Sequence, residues 1–252
     1  TVGNIVTGDD HQTQFMINLN TLNALLWLLD NPKKNIRKET CWTISNITAG
    51  TAEQIQAVIK ADIFPKLIEM LSTTEFDIQK EAAWALSNAT NGGTVDQIAY
   101  LIQCGAVTPL CGLLHASDVK VVTVALEGLE NMLKAASALG KVDDVVDLIS
   151  DCGGAQAIED LQNHENKVVY SRALKILSLY LGAEEEEDGE LDGGFFQPPP
   201  AGSSSVQPPM APAGNIQQFG FGVSGANGNN SNGGGFPGFG NSSGGSGGFK
   251  YQ

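Results

Sequence analysis

One stretch of sequence occurs twice in this chain and limits the folds that the chain can adopt. Lys38–Gly50 reads KETCWTISNITAG, and 42 residues further on Lys80–Gly92 reads KEAAWALSNATNG. Lys, Glu, Trp, Ser, Asn, Thr and Gly occupy the same places in both copies. A period of about 42 residues is typical of solenoids built from multi-helix units. The sequence therefore predicts an all-α repeat protein.

Each copy, placed on a helix, has two distinct faces. One face is a stripe with core spacing that recurs after 42 residues: Ile36, Thr40, Ile44, Ile47 and then Ile78, Ala82, Leu86, Ala89. Glu39, Trp42 and Asn46 share another face, at i, i+3 and i+7. The repeated indoles could fill gaps between neighbouring helices. Alternatively, Trp42, Asn46, Trp84 and Asn88 form a Trp/Asn ladder on the concave surface that solenoids use for binding.

Three-helix units follow one another over residues 1–182. The predicted helices are His11–Leu19, Leu22–Leu29 and Lys34–Thr48; Ala52–Lys60, Pro65–Leu71 and Asp77–Thr90; Val95–Gln103, Pro109–His115 and Lys120–Ala136; Val142–Ser150, Ala155–Asn163 and Lys167–Gly182. Asn20, Asp62 and Gly105 separate the first and second helices and are predicted to adopt turn conformations. Trp27 lies in an apolar run and is expected in the core. Thr1–Asp10 matches the end of an earlier unit, so we expect a C-terminal piece of a longer protein.

The composition of the chain changes at residue 183. An acidic block is followed by Pro-rich and then Gly/Asn/Ser/Phe-rich sequence; the block consists of Glu184, Glu185, Glu186, Glu187 and Asp188. Such a segment cannot bury enough apolar surface to fold alone, so residues 183–252 are predicted to be a disordered tail. The net charge of −14 disfavours nucleic acid and anionic membranes as partners and favours basic ones.

No residue pattern argues for catalysis. His11, His115 and His164 lie far apart in the sequence, and no Gly-rich segment carries a phosphate-binding lysine at the required spacing. The four cysteines contain no C-x-x-C pair and are expected to be reduced, mostly buried thiols of an intracellular protein. The sequence therefore predicts a protein that is not an enzyme and needs neither a metal nor a cofactor.

The Trp/Asn ladder has the chemistry to hold an extended basic peptide. An Asn amide can pair with both the N–H and the C=O of a peptide backbone. Parallel indoles leave slots for the aliphatic stem of Lys or Arg, whose charge is attracted to the ring face. Further residues complete the predicted site: Ser45, which is repeated with the ladder, Asn131, which continues its amides, and the acids Asp10, Glu39, Glu81 and Glu127, the last in the place of a third Trp.

Several segments closely resemble the later armadillo repeats of importin-α. They are GNIVTGDD at Gly3–Asp10, both copies of the long repeat, CGAVTPL at Cys104–Leu110, HEN at His164–Asn166 and the acidic Glu184–Asp188. The resemblance covers residues 1–188 and implies a right-handed armadillo solenoid. It also implies a nuclear import adaptor that shuttles between cytoplasm and nucleus and binds the nuclear localisation signals of cargo proteins.

The resemblance implies roles for particular residues and partners. Asn4 and the Trp/Asn ladder would belong to the family's minor signal-binding site, with Glu39 and Glu81 as its acids. Importin-β would bind a segment absent from this chain, and nucleoporins are possible further partners. The acidic block would contact the export receptor that recycles the adaptor, or it merely ends the fold. The alternative function is a catenin-type armadillo scaffold in adhesion or signalling, whose groove is basic.

Overall fold

A computed structural model describes residues 2–182, where the regular structure is helical throughout. The α-helices are α1 (Val2–Ile5), α2 (Asp10–Asn18), α3 (Thr21–Leu29), α4 (Lys34–Thr48), α5 (Ala52–Lys60), α6 (Ile63–Thr73), α7 (Phe76–Gly92), α8 (Val95–Gln103), α9 (Val107–Gly112), α10 (Val119–Ala138), α11 (Val142–Asp151), α12 (Gly154–Asp160) and α13 (Lys167–Ile176). Two 3₁₀ turns, Leu113–His115 and Leu161–Asn163, and a π-helical segment, Leu177–Leu181, complete them. In this part of the chain no single helix is long and apolar enough to span a membrane, although Val95–Gln103 and Val107–His115, bent by 81°, pass that test together.

The helices form three-helix units, as the 42-residue period predicts. Helices in equivalent positions of successive units pack on one another: α2 on α5 and α5 on α8; α3 on α6, α6 on α9 and α9 on α12. The third-helix layer, defined as α1, α4, α7, α10 and α13, is likewise continuous from neighbour to neighbour. Because each unit buries its apolar face on the next one, the core runs along the chain of units.

The predicted core stripes are buried in the third-helix layer. Ile44 and Ile47 of α4 are 0% exposed, as are the equivalent Leu86 and Ala89 of α7. Thr40 is also enclosed, and its hydroxyl donates a 2.7 Å hydrogen bond to its own helix. The apolar spacing therefore identified the correct face of these helices.

The turns between first and second helices use the left-handed backbone region that their sequences predict. Asn20 has φ 60°, Asp62 has φ 56° and Gly105 has φ +83°, and Gly153 of the fourth unit has φ +76°. Asn and Asp tolerate this region better than other residues with a side chain, and Gly adopts it freely. Each of these residues directly precedes, or lies just before, a second helix, so the same turn geometry recurs in every unit.

Buried glutamines bond one unit to the preceding one. Gln54 closes a capping box with Thr51 at the start of α5, and its Nε2 donates a 2.8 Å hydrogen bond to the carbonyl of Asp10. Gln97 caps α8 in the same way, and its Nε2 donates a 2.9 Å bond to the carbonyl of Ala52. Both side chains are nearly fully enclosed. One residue type therefore starts the helix and joins adjacent units.

The repeated glycine before these helices is explained by the same glutamine. A Cβ built on Gly50 would lie 1.8 Å from Oε1 of Gln54, and one on Gly8 would lie 1.7 Å from Oε1 of Gln12. A side chain at either position would require the glutamine side chain to move, and at Gly50 this movement would disturb the capping box of Gln54. Glycine is needed here for space, not for an unusual backbone conformation.

Trp27 corrects one expectation, because it is 83% exposed and lies outside the core. The buried residues of α3 are Leu22, Leu25 and Leu29, which place Trp27 on the opposite side of the helix. The run from Leu25 to Leu29 contains no polar residue, so its apolar character could not reveal which side faces the core. The equivalent residue of the next unit, 42 residues after Trp27, is Glu69, and this charged residue indicates that the position lies on the surface.

The cysteine prediction is confirmed for two residues and needs adjustment for two. Cys41 and Cys111 are buried, whereas Cys104 and Cys152 are half-buried, and all four are free thiols. Burial is the main cause that raises the pKa of Cys41 to about 12. At neutral pH this thiol is therefore protonated and a poor nucleophile.

Replacing Gln54 by Glu should destabilise the protein while leaving the capping box intact. A carboxylate can still accept from the Thr51 N–H, but it cannot donate to the carbonyl of Asp10. We expect the free energy of unfolding to fall by about 1–3 kcal/mol, because the bond between the units is lost and the oxygen that replaces Nε2 is enclosed without a donor. Urea denaturation followed by circular dichroism measures this change.

Gln12→Glu is the matched control for this substitution. Gln12 occupies the equivalent position of α2, follows a glycine at the same spacing, and is exposed. Its replacement should change the free energy of unfolding by less than about 0.5 kcal/mol. Equal effects of the two substitutions would show that the bond between units contributes nothing beyond the local cap.

Candidate peptide-binding site

The two repeated indoles lie in the third-helix layer and are half-buried. Trp84 packs in part against the core. Trp42 lies against the backbone of α1, where a Cβ built on Gly3 would be only 2.5 Å from Cζ3 of the indole. One part of each indole is therefore packed against neighbouring residues, and the remainder is exposed. Binding of a ligand by the exposed part stays a prediction.

The asparagine amides of the ladder make contacts between units. Nδ2 of Asn88 on α7 donates a 3.0 Å hydrogen bond to the carbonyl of Ser45 on α4. Nδ2 of Asn131 on α10 donates a 3.2 Å bond to Oγ1 of Thr90 on α7. Asn46 is the exception, because its Nδ2 is buried without a partner among residues 2–182.

The bond of Asn88 uses only part of the hydrogen-bonding capacity of its amide. Within the described residues, the bond to Ser45 uses one of the two N–H groups of Asn88 and leaves its Oδ1 unbonded. The amide is therefore held in one orientation by the preceding unit. A fixed amide can pair with a backbone N–H of a peptide without first losing rotamer freedom.

Two of the predicted site residues, Ser45 and Asp10, lie elsewhere than expected or make another contact. Ser45 is 6% exposed, and its Oγ donates a 2.8 Å bond to the carbonyl of Trp42, so an enclosed hydroxyl replaces the expected peptide contact. Asp10 is exposed but lies in the first turn of α2, outside the third-helix layer. Asn4 is exposed on α1, which belongs to the layer and packs on α4.

The acidic residues of α4 and α7 differ in their surroundings. Glu39 is exposed, whereas Glu81 is half-buried. Burial is the largest cause that raises the pKa of Glu81 above the usual carboxyl range; Lys38 and Lys80 oppose this shift, and Glu39 and Asp77 add to it. No ion pair closer than 4.0 Å joins Glu39 or Glu81 to another residue of 2–182. A cationic side chain of a ligand would therefore favour the ionised form of Glu81.

Glu127 of α10 has a partner within the chain. Its Oε1 lies 3.4 Å from Nη2 of Arg172 on α13, and Nη1 of the same guanidinium lies 3.1 Å from Oε2 of Glu130. Lys175 also binds Glu130. Sequence reasoning missed Arg172, although its position 42 residues after Glu130 could have indicated that the two residues are neighbours. The predicted contacts of Glu184–Asp188 lie outside the described residues.

Comparisons with known proteins identify the repeat. A family model described as the Armadillo/beta-catenin-like repeat matches residues 9–49, 51–90 and 94–134, and one described as the atypical Arm repeat matches residues 143–193. Together these matches cover more than half of the chain. The chain belongs to the armadillo-repeat family. The repeat boundaries agree with the units of the fold, and the predicted armadillo solenoid is confirmed.

The resemblance to importin-α is also confirmed at the level of sequence. This armadillo chain is 52% identical over 199 residues to importin subunit alpha-1b of Oryza sativa subsp. japonica, a match that covers 77% of this chain and 37% of the relative. It is 62% identical over 163 residues to importin subunit alpha-2 of Arabidopsis thaliana, covering 62% and 30%. The chain therefore spans about a third of the length of these relatives.

Solved armadillo structures resemble the fold. A designed armadillo repeat protein, YIII(Dq)4CqI, superposes with a TM-score of 0.62 and is 29% identical, covering 70% of this chain and 71% of the other. Another, YIII(Dq.V1)4CPAF, was solved in complex with the peptide (KR)4; it has a TM-score of 0.53 and 26% identity, covering 70% and 89%.

Replacing Glu81 by Gln should stabilise the free protein at neutral pH. Burial raises the pKa of Glu81 above its value in the unfolded chain, so ionisation of this carboxyl opposes folding at any pH above both values. The variant should therefore have the larger free energy of unfolding at about pH 7.5. This difference should disappear as the pH falls through the raised pKa to the unfolded value of about 4.3. Urea titrations at several pH values measure it.

Glu39→Gln, which removes an exposed carboxylate from the equivalent position of α4, is the matched control. Its effect should be smaller and should change less between these pH values. A pH-independent stabilisation by Glu81→Gln would show that the substitution acts through packing and not through the charge.

Proposed function

We propose that this chain binds extended basic peptides along its third-helix layer as part of a nuclear import adaptor. The peptides would be the nuclear localisation signals of cargo proteins. The observation that carries the proposal is the pair of Trp-x-x-x-Asn sequences on adjacent, packed helices, Trp42 with Asn46 and Trp84 with Asn88.

The spacing of this array fits a peptide in an extended conformation. Packed helices lie about 8–10 Å apart, and an extended chain advances about 3.3 Å per residue. Successive Trp/Asn pairs are therefore separated by about three residues of a peptide. Amides at this interval would fix the backbone and its register, while contacts with the indoles would select particular side chains.

The charges on the layer favour lysine and arginine in those side-chain positions. Glu39 and Glu81 carry no ion pair with residues 2–182, and a bound cation would compensate the partly desolvated carboxylate of Glu81. The indoles of Trp42 and Trp84 would contribute cation–π attraction and apolar contact with the aliphatic stems. A designed armadillo protein of similar fold binds (KR)4, an alternating basic peptide, which supports the same choice of ligand.

The partners of the whole protein follow from the importin-α relatives. We propose that a longer chain would also bind importin-β, an export receptor and nucleoporins, and would shuttle between cytoplasm and nucleus. No catalytic role is proposed. Tail residues Glu184–Asp188 would serve the export receptor, as the resemblance implies.

A catenin-type scaffold is the alternative function, and the match to a beta-catenin-like repeat by itself does not distinguish the two. The sign of the charge separates them. A scaffold for acidic partners requires basic residues along its groove, whereas Glu39 and Glu81 flank the indoles here. Titrations with a basic and an acidic peptide of equal length decide between the two functions.

Replacing Trp42 and Trp84 together by Ala should weaken binding of a basic signal peptide. Each indole should contribute roughly 0.5–2 kcal/mol through cation–π and packing contacts. The combined loss corresponds to about a tenfold to a few-hundredfold increase in Kd, less if the two effects are not additive. Isothermal titration calorimetry measures the affinity, and circular dichroism confirms that the helices remain.

Trp27→Ala is the control for general loss of an indole, since Trp27 is exposed on a second helix away from the third-helix layer. It should leave Kd within twofold. A peptide with norleucine in place of lysine should reduce the effect of the Trp substitutions and largely spare that of Asn46→Ala with Asn88→Ala. Parental affinity in the double Trp variant would show that the indoles serve only the fold.

A further inference from the structure

The Trp/Asn ladder changes its residues towards the end of the third-helix layer. Equivalent positions succeed one another at offsets of 42 or 43, and the two series are Trp42, Trp84, Glu127, Val169 and Asn46, Asn88, Asn131, Ala173. Val169 and Ala173 on α13 are both 0% exposed. The last unit therefore offers a peptide neither an indole nor an amide at these positions.

A cation from α13 occupies the acidic position of α10 instead. The guanidinium of Arg172 lies between the carboxylates of Glu127 and Glu130, at 3.4 Å and 3.1 Å. Its side chain is 31% exposed, that of Glu127 is 30% exposed and that of Glu130 is 14% exposed, so the cluster is partly shielded from water. Lys175 completes the charge balance through Glu130 and does not contact Glu127.

We propose that Arg172 sets the length of the peptide-binding surface by occupying the carboxylate of Glu127 from within the chain. The inference rests on the proposed binding of basic peptides. A lysine or arginine of a peptide would have to displace a guanidinium that is already held by two carboxylates. The bound peptide therefore ends at the Trp-Asn pairs of α4 and α7, and Glu127 contributes little to its affinity.

The contrast between the three acids supports this assignment. Glu39 and Glu81 have no ion pair within 4.0 Å among residues 2–182, whereas Glu127 has one. A guanidinium forms a rigid planar fork that can contact two carboxylates at once. Because Arg172 belongs to the same folded chain, it competes with a peptide without any loss of translational freedom.

The role of Arg172 can be isolated by comparing two variants, each of which removes one positive charge. Arg172→Met keeps an aliphatic side chain of similar length and frees Glu127, whereas Lys175→Met removes a charge that contacts only Glu130. Both variants have the same net charge, so long-range attraction of a basic peptide is equal. The probes are a basic peptide long enough for two Trp-Asn pairs and versions extended by three residues at either end.

Each extension is made once with a lysine at its end and once with serine. One of the two lysine-extended peptides places its lysine at the end that reaches α10. Calorimetry should show that this peptide binds to the Arg172→Met variant about two- to fivefold more tightly than to the parent protein, which is the effect of one accessible ion pair. The serine extensions, the unextended peptide and the Lys175→Met variant should show less than a twofold change. Equal affinity of parent and Arg172→Met for every peptide would overturn the inference.

A second variant tests the same claim without disturbing α13. Glu127→Gln in the otherwise unchanged chain should leave all affinities within twofold, since Arg172 already neutralises the carboxylate. Weakening by Glu127→Gln as large as that by Glu81→Gln would show that the peptide reaches Glu127 and would refute the role of Arg172. If the parent binds none of the basic peptides, the proposed function itself fails; if it binds them without these differences, only the present inference fails.

Discussion

The constraint on which this fold depends is that no unit can bury its apolar face without the next one. Leu86 and Ile44 are fully enclosed because the third helices pack on one another, and first and second helices repeat the arrangement. The buried Nε2 atoms of Gln54 and Gln97 then fix the position of each unit on its predecessor through backbone carbonyls. Hydrophobic contact alone tolerates sliding, whereas a directional bond at 2.8–2.9 Å does not. The interval between successive units is therefore defined by the core and by these bonds.

The amides on the third-helix layer also form bonds between units. Asn88 bonds to the carbonyl of Ser45, so a residue proposed to hold a peptide backbone also joins two units. This dual contact orients the amide before a ligand arrives and reduces the entropy lost on binding. Glu81 represents the opposite arrangement, since its half-buried carboxylate disfavours the free folded state and gains from a bound cation. A binding surface of this kind combines positions that stabilise the fold with positions that weaken it.

More of the fold than of the candidate binding site could be predicted from the sequence. A strong 3.6-residue periodicity and recurring signals located α4 to the residue, and the turns at Asn20 and Asp62 followed from side chains that tolerate positive φ. Trp27 was placed wrongly because a continuous apolar run carries no information about which side is buried. The ion pair between Arg172 and Glu127 was not predicted, because the 42-residue period indicates that Arg172 lies near Glu130 but does not determine which carboxylates its guanidinium contacts. Sequence patterns thus indicate which face of a helix is buried, whereas the structure is needed to identify which side chains pair with one another.

The unit that contains α13, the last unit within residues 2–182, indicates how the proposed binding surface would be limited. On the proposed function, the exposed parts of a Trp or an Asn in the third-helix layer gain contacts from a ligand, and a unit that binds no peptide has no such gain. Val169 and Ala173 convert the two ladder positions into core positions, which raises the apolar burial of α13 against α10. Arg172 then supplies from the chain the positive charge that the acids of α10 would otherwise draw from a ligand. Under the two proposals, Val169, Arg172 and Ala173, which lie within five residues of one another on α13, are the residues that distinguish this unit from the peptide-binding units.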